Sequence, residues 1–268
     1  VNGPLCGYNL IVPPDDTVMA EDHITLDLPI RDTTNQREQL MFWMAEQLGL
    51  PNLYRRYVHL FVNGTRRGVI YDDVQQPDQT LINEFFPDDN GGPLHKSNNW
   101  NEGVDNANTT SAPVDNLLRH YTSGGQRKLA RYRWNWRPRA SRSSNDFTDL
   151  FELIDAVNAV PATYQAAVES VVDVENWMRT FAFHDLCSYW DGFGNPNHKN
   201  TYLYKPPAGR WVQFTWDMDV GLGVFNDPVN ATLFPGTVDT KVDALQGYPA
   251  FRRVYWRTVH EALAAWRS

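Results

Sequence analysis

Carboxylate and amide side chains recur between residues 184 and 223 in an order suited to binding a hard metal ion. Asp191 lies in a loop rich in glycine and asparagine, and Asn200 closes that loop before a predicted strand. Asp217 and Asp219 follow a second predicted strand and precede a pair of glycines. Because such oxygen ligands favour Mg²⁺ or Ca²⁺ over zinc or copper, we predict a divalent-metal site built from Asn200, Asp217 and Asp219.

The two strands next to these residues are predicted to form a hairpin, TYLYK and RWVQFTWDMD joined by Pro-Pro-Ala-Gly. In a hairpin the end of the second strand lies beside the start of the first, so Asn200 should approach the two aspartates. Residues two apart on a strand share a face. If the strand continues that far, Asp217 and Asp219 point to one site.

The same order of residues is typical of phosphoryl transfer on the protein-kinase fold. There a loop aspartate accepts the proton of the attacking hydroxyl, while an asparagine and a later aspartate hold Mg²⁺ on the nucleotide phosphates. Asp191, Asn200 and then Asp217 with Asp219 follow that order. Each residue alone also fits ordinary turn chemistry, so the prediction of a kinase-like centre rests on their joint order.

The first 77 residues predict a small strand-rich lobe. A strand is expected over 24–30, a helix capped by Thr34 over 34–48, and a hairpin around the Asn63-Gly64 turn. This order matches the small lobe of a kinase, and it places Gln75 and Gln76 where the adenine-binding hinge should be.

The rest of the chain divides by composition. Residues 78–125 are rich in Asn, Asp, Gly, Pro and Ser and are predicted to form a loop-rich joint. Residues 126–268 predict a larger helical lobe, with helices beginning after Asp146, after Asp173 and at Pro249. The expected fold class is therefore α+β, a divergent two-lobed kinase-like fold.

Composition excludes several classes of protein. The 268 residues are 42% hydrophobic, enough for a real core, and no apolar run approaches the ~20 residues of a membrane span. The net charge of -8 argues against a nucleic-acid partner. Cys6 and Cys187 are too few for a zinc site or a disulfide framework, which leaves a single disulfide or two buried thiols.

Most of the chain resembles the CotH kinases, the atypical protein kinases related to spore coat protein H. The segments most typical of that family are WDGFGNPNHKNTYLY at 190–204 and FTWDMD at 214–219. Further similarity lies in the segments REQLMFWMAEQLGLP, YVHLFVNGTRRGVIYDDVQQ, PDDNGGPLHK, YRWNWR and DFTDLFELIDAVN.

The resemblance implies ATP-dependent phosphorylation of Ser or Thr in an exported or coat protein, with Mg²⁺ or Mn²⁺ as the metal. Asp191 falls on the family's catalytic aspartate, Asn200 on its metal-binding asparagine and Asp217 on its metal-binding aspartate. Asp219 matches the second acid of the family's WDxD pattern. The resemblance also favours an extracellular, cell-surface or spore-coat location.

Some positions depart from a working kinase. The strand at 24–30 has no lysine, although kinases place a phosphate-binding lysine there. Lys96 is the substitute candidate; the alternative is a solvated loop lysine. Glu38 is the candidate helix acid that would pair with such a lysine, or else a surface residue favoured by the helix dipole. Gly3 and Gly7 match a glycine-rich phosphate loop only weakly.

The most basic stretch, residues 127–142, holds seven of the 24 Lys and Arg residues and no acid. Its arginines alternate with Tyr132, Trp134 and Trp136. One interpretation is a patch that binds ATP phosphates or an acidic substrate through bidentate arginines. The other is an edge strand with its rings inward and its charges outward.

Two other functions remain open on sequence. The first is an inactive or weakened relative, a coat, nucleotide-binding or metal-binding protein on the same scaffold. The second is a hydrolase that uses Asp191 and Asp217 as an acid–base pair, with tryptophans as a sugar platform.

Overall fold

The computed structural model describes most of the chain, namely residues 6–18, 21–29, 31–98, 100–102, 112–114, 117–140, 145–195, 199–224, 230–234 and 236–267. Gly3, considered above for a phosphate loop, lies outside these ranges. In the described part the fold is mixed α/β, with eight helices and antiparallel sheets.

The N-terminal half begins with a four-stranded antiparallel sheet of order β1-β2-β4-β3. Its elements are β1 Tyr8–Ile11, β2 His23–Asp27, α1 Arg37–Gln47, β3 Arg55–Val62 and β4 Thr65–Val74. The predicted strand, helix and hairpin are thus confirmed, and Asn63 and Gly64 both adopt positive φ at the hairpin turn. Thr34 does not cap α1; instead Asp32 accepts hydrogen bonds from the backbone N–H groups of Gln36 and Arg37.

A second four-stranded sheet has the order β10-β5-β11-β12. Its strands come from distant parts of the chain. The helices and strands that follow β4 are α2 Gln79–Phe85, β5 Leu94–Ser97, β6 Trp100–Glu102, β7 Ala112–Val114, β8 Thr122–Ser123, β9 Gln126–Arg127, α3 Leu129–Asn135, β10 Trp136–Pro138, α4 Thr148–Val157, α5 Tyr164–Val171, α6 Val174–Leu186, β11 Thr201–Tyr204, β12 Val212–Thr215, α7 Thr240–Gly247 and α8 Pro249–Ala265.

The basic stretch is not the long edge strand that its alternation predicts. Residues 129–135 form α3, in which Tyr132 and Asn135 are buried and Trp134 is exposed. Trp136–Pro138 then forms the short strand β10, which is the edge of the second sheet. The alternation misleads because the helix buries residues three apart, which strand spacing cannot reveal.

Two apolar clusters hold the elements together. One lies among the helices α4, α5, α6 and α8 around buried Trp177 and Tyr255. The other joins α1 and α2 to β11 and β12, and it brings Met41 and Phe42 of α1 into one core with Phe214 and Met218. Helix α1 therefore packs on the second sheet, beside the segment that carries Asp217. The division of the chain into two lobes stays a prediction.

Among the described residues no helix is both long enough and apolar enough to cross a lipid bilayer.

Candidate active site

The loop between α6 and β11 carries Asp191, and it brings this residue against Asn200. Both side chains are buried, at 3% and 2% exposure. The Asn200 amide nitrogen donates a 2.8 Å hydrogen bond to Asp191 Oδ2. The ammonium of Lys199 lies 3.1 Å from the same oxygen. One carboxylate oxygen of Asp191 is therefore held by two donors, which fixes the orientation of the carboxyl group.

Asp217 lies close to this pair through an unusual backbone. Asn200 has φ 60° and Asp217 has φ 54°, a left-handed conformation that costs ~1–2 kcal/mol for residues other than glycine. Hydrogen bonds hold it: Trp216 N–H donates to the carbonyl of Asn200. The Tyr189 hydroxyl lies 2.7 Å from the Trp216 carbonyl and 3.0 Å from that of Asp217.

This backbone corrects one expectation about the two aspartates. Strand β12 ends at Thr215, so Asp217 and Asp219 do not share a strand face. The left-handed residue at Asp217 breaks the strand and redirects the chain. Asp219 nevertheless lies within electrostatic reach of Asp217, and burial together with the Asp217 charge raises the pKa of its carboxyl to about 6. The guanidinium of Arg31 lies 3.5 Å from Asp219 and acts in the opposite direction.

Three carboxylates converge beside the loop. Oxygen atoms of Asp27, Glu38 and Asp217 all lie within 4.8 Å of one another. Such a set of hard oxygen donors is the kind that Mg²⁺ or Mn²⁺ binds, so the residues present fit the predicted metal. The sequence analysis did not identify Asp27 as a ligand. Its one sequence feature is that it ends the strand before α1, the strand on which kinases carry their phosphate-binding lysine.

Glu38 belongs to a buried ionic network that links α1 to the Asp217 segment. One oxygen lies 2.6 Å from the Arg55 guanidinium, and the other accepts a 2.7 Å hydrogen bond from the backbone N–H of Met218. The same guanidinium lies 3.1 Å from Asp72. Burial raises the pKa of Glu38 to about 8, which the Arg55 charge opposes and the Asp217 charge reinforces.

Both expectations about Glu38 therefore need correction. At 5% exposure it is not a surface residue, and its cation is Arg55 from β3 rather than a lysine. The reason is geometric: β3 runs beside β4 with Arg55 near Asp72, and α1 lies across them. Both acids at the end of β4 have a basic partner: Arg55 pairs with Asp72, and Arg56 pairs with Asp73 at 2.5 Å.

Lys96 lies on strand β5 and is half-buried, so it is not a solvated loop lysine. Its ammonium lies 5.5 Å from the ring centre of Tyr202 and 5.7 Å from that of Trp216. Burial lowers its pKa to about 8, and the positive charges of Arg139 and Lys199 add to that effect while Asp217 opposes it. Lys96 thus lies within electrostatic reach of both Asp217 and Lys199.

Gln75 and Gln76 follow β4 and precede α2. Gln75 is buried, and its side chain bonds to the backbone N–H of Tyr54 and to Glu84. Gln76 donates to the Thr25 hydroxyl of β2. These bonds tie the segment to the first sheet, and its predicted role as the adenine-binding hinge stays a prediction.

A second buried acid, Asp185, lies six residues before Asp191 at the end of α6. Burial raises the pKa of this carboxyl to about 7, against a smaller lowering by the hydroxyl of Tyr255. That hydroxyl lies 2.8 Å from Asp185 Oδ2 and 2.6 Å from the Leu233 carbonyl. A tyrosine hydroxyl has one proton to donate. If Asp185 is protonated, it can donate to the Tyr255 oxygen while the Tyr255 hydroxyl donates to the Leu233 carbonyl, and every polar atom then has a partner.

Asp185→Asn should therefore change how stability depends on pH. The folded carboxyl binds its proton more tightly than the unfolded one, so the free energy of unfolding falls as pH rises from about 4 to about 7. Asparagine mimics the protonated acid, so the variant should gain stability relative to wild type between those values. Urea unfolding at both ends of this pH range measures it, with exposed Asp155→Asn as control. If the free energy of unfolding changes with pH by the same amount in wild type and in Asp185→Asn, Asp185 is not the group that titrates.

Comparison with known sequences identifies the family of the chain. No curated protein matches the chain closely enough to count as a relative. The family described as CotH kinase protein matches residues 11–262, which include every site residue named above. The match covers nearly the whole chain. The chain therefore belongs to the CotH kinase family.

Proposed function

We propose that this protein transfers the γ-phosphoryl group of ATP to a Ser or Thr hydroxyl of a protein, with Mg²⁺ or Mn²⁺ as the metal. Membership of the CotH kinase family supports a kinase-like function. The observation that carries the finer proposal is the convergence of Asp191, Asn200 and Asp217, with hydrogen bonds from Asn200 to the other two.

Asp191 would act as the base. Its carboxylate, oriented by Asn200 and Lys199, accepts the hydroxyl proton while the serine or threonine oxygen bonds to the γ-phosphorus. The bond from that phosphorus to the β–γ bridging oxygen breaks, and ADP leaves with the electron pair. Proton acceptance by a positioned carboxylate typically contributes ~10²–10⁴-fold to a rate.

Asn200 and Asp217 would hold the metal, with Asp219, Asp27 or Glu38 available to complete the ligand set. The divalent ion supplies positive charge that neutralises the phosphate oxygens. Lys96 would offset further phosphate charge, and Gln75 and Gln76 would border the adenine. The acceptor would be an exported, cell-surface or spore-coat protein, as the family suggests.

Transfer of labelled phosphate tests the proposal. Purified protein with γ-labelled ATP and Mg²⁺ or Mn²⁺ should label itself or a casein-like acceptor at Ser or Thr, and a chelator should abolish the labelling. A protein that binds ATP but labels nothing under these conditions would be better explained by the second candidate function.

That second candidate is a nucleotide- or metal-binding protein without transfer activity. One observation favours it: the strand before α1 ends in Asp27, a carboxylate that joins the acidic group, where an active kinase has a lysine. The decisive difference is the transfer step, because both candidates bind nucleotide.

Asp217→Asn should remove the metal-dependent part of ATP binding. Wild type at 100 times the dissociation constant should gain about 2.7 kcal/mol in its free energy of unfolding. The variant should lose most of that gain, because its amide gives up the negative charge that the metal needs. Thermal unfolding with ATP, with and without Mg²⁺, measures the difference. Equal ATP–Mg²⁺ stabilisation of both proteins would remove Asp217 from the metal site.

A further inference from the structure

Lys96 belongs to a group of four cationic side chains, and the proposed function uses only two of them. Lys96 of β5 is influenced by the charges of Arg139, Lys199 and Arg137. Arg137 pairs with Lys96 across β10 and β5, and Lys96 pairs with Tyr202 across β5 and β11. Directly paired residues of neighbouring strands point to the same face. Arg137, Lys96 and Tyr202 therefore lie in one row on one face of the second sheet.

Lys199 pairs with Asp191, but the other three cations have no carboxylate partner in the part of the chain that the structure describes. Among the described residues, no carboxylate forms an ion pair with Lys96, Arg137 or Arg139. Arg137 Nε is buried and has no hydrogen-bond partner; the guanidinium lies 5.8 Å from the ring centre of Trp134. Like charges held together repel one another, and this repulsion adds to burial in lowering the pKa of Lys96. Such a cluster is stabilised by an anion.

The other side of the site has the opposite charge. The strand before α1 ends in Asp27, which lies with Glu38 and Asp217. The connection from β1 to β2, residues 12–22, has four acidic residues and no glycine in its sequence. It therefore lacks the glycines that let a phosphate-covering loop bring its backbone N–H groups to the ligand. The first sheet offers a polyphosphate chain little to bind.

We infer that the β5–β10 edge, through Arg137 and Arg139 beside Lys96, is the surface that binds the polyphosphate chain of the nucleotide. The inference rests on the proposed function and goes further, because it assigns phosphate recognition to the second sheet in place of a glycine-rich loop. Guanidinium groups suit this task, since each can donate two parallel hydrogen bonds to one phosphate. β10 is an edge strand, so its outer side is not covered by another strand of the sheet.

Binding measurements test the inference without relying on catalysis. Titration calorimetry of wild type and of Arg137→Ala/Arg139→Ala would use ATP, ADP, adenosine and inorganic tripolyphosphate as ligands. Each lost guanidinium should weaken ATP and tripolyphosphate binding about tenfold, and adenosine binding should be unchanged. Arg133→Ala is the matched control, because Arg133 lies in the same basic stretch but on α3, bonded to Asn145.

The outcomes separate this inference from the proposed function. Unchanged affinity of the double variant for ATP and tripolyphosphate overturns the inference, and so does a defect confined to the KM of an acceptor peptide. Wild type that binds tripolyphosphate through these arginines but transfers no phosphate upholds the inference and overturns the kinase proposal. If the wild-type protein binds neither ATP nor tripolyphosphate, both the inference and the kinase proposal are wrong. Arg139 is exposed, so Arg139→Ala alone decides the question if the double variant does not fold.

Discussion

Asp191→Ala is expected to reduce phosphate transfer by about 10²–10⁴-fold, the contribution of a positioned general base. The reason is specific to the geometry. The Asp191 carboxylate is buried and held at one oxygen by Asn200 and Lys199, and alanine has no group that could accept the hydroxyl proton. Initial rates with labelled ATP and saturating acceptor measure the effect.

The affinity for ATP and Mg²⁺ should fall much less than the rate, because Asp191 would act on the hydroxyl rather than on the nucleotide. Asp88→Ala is the matched control, an exposed aspartate in the turn after α2, and it should retain the wild-type rate. If wild type transfers phosphate and Asp191→Ala transfers it equally well, the assignment of Asp191 is wrong.

Arg55→Met is expected to destabilise the protein by about 3–5 kcal/mol, the usual cost of removing one partner from a buried ion pair. Its side chain is 2% exposed and lies between Glu38 and Asp72, which are equally buried. Without the guanidinium, Glu38 and Asp72 lose the cation that they share, beside the further acidic groups of Asp27 and Asp217. Urea unfolding at neutral pH measures the loss.

Arg56→Met provides the control for that loss. Arg56 is the next residue and also pairs with an aspartate, Asp73, but its side chain is 33% exposed, so its loss should cost less than the loss of Arg55, which lies between two buried carboxylates. A loss no larger for Arg55→Met than for Arg56→Met would contradict the account of the network. Glu38 also holds the backbone N–H of Met218, so Arg55→Met should in addition weaken metal-dependent ATP binding.

The part of the site that could be predicted from sequence is the part built from neighbouring elements. Asn200 and Asp217 flank a single hairpin, so hairpin geometry brings them together, and the neighbouring loop between α6 and β11 adds Asp191. Strands β11 and β12 pair in register from Thr201 with Thr215 to Tyr204 with Val212, as the two apolar runs predict. Asp173 also caps α6 as expected, accepting from Asn176 N–H.

What the sequence could not predict depends on contacts between distant segments. Glu38 meets Met218 across 180 positions, and neither residue carries a local signal of that contact. Arg55 replaces the expected lysine because the fold brings β3 alongside α1, a fact absent from any motif. Asp27 reads as an ordinary strand end, and only its distance to Glu38 and Asp217 identifies it as a candidate ligand.

The local signal was also misleading in the basic stretch. Its period-two alternation favoured a strand, whereas the segment forms helix α3 and buries Tyr132 and Asn135. Propensity and pattern are weak compared with burial in such short segments.

A crystal structure with Mn²⁺ and a non-hydrolysable ATP analogue tests the central claim most directly, because anomalous scattering locates the metal. The account predicts manganese bound by Asp217 and Asn200, with the γ-phosphate facing Asp191 and the phosphate chain against Lys96. Manganese elsewhere in the molecule, or a nucleotide bound away from Asp191, would contradict it.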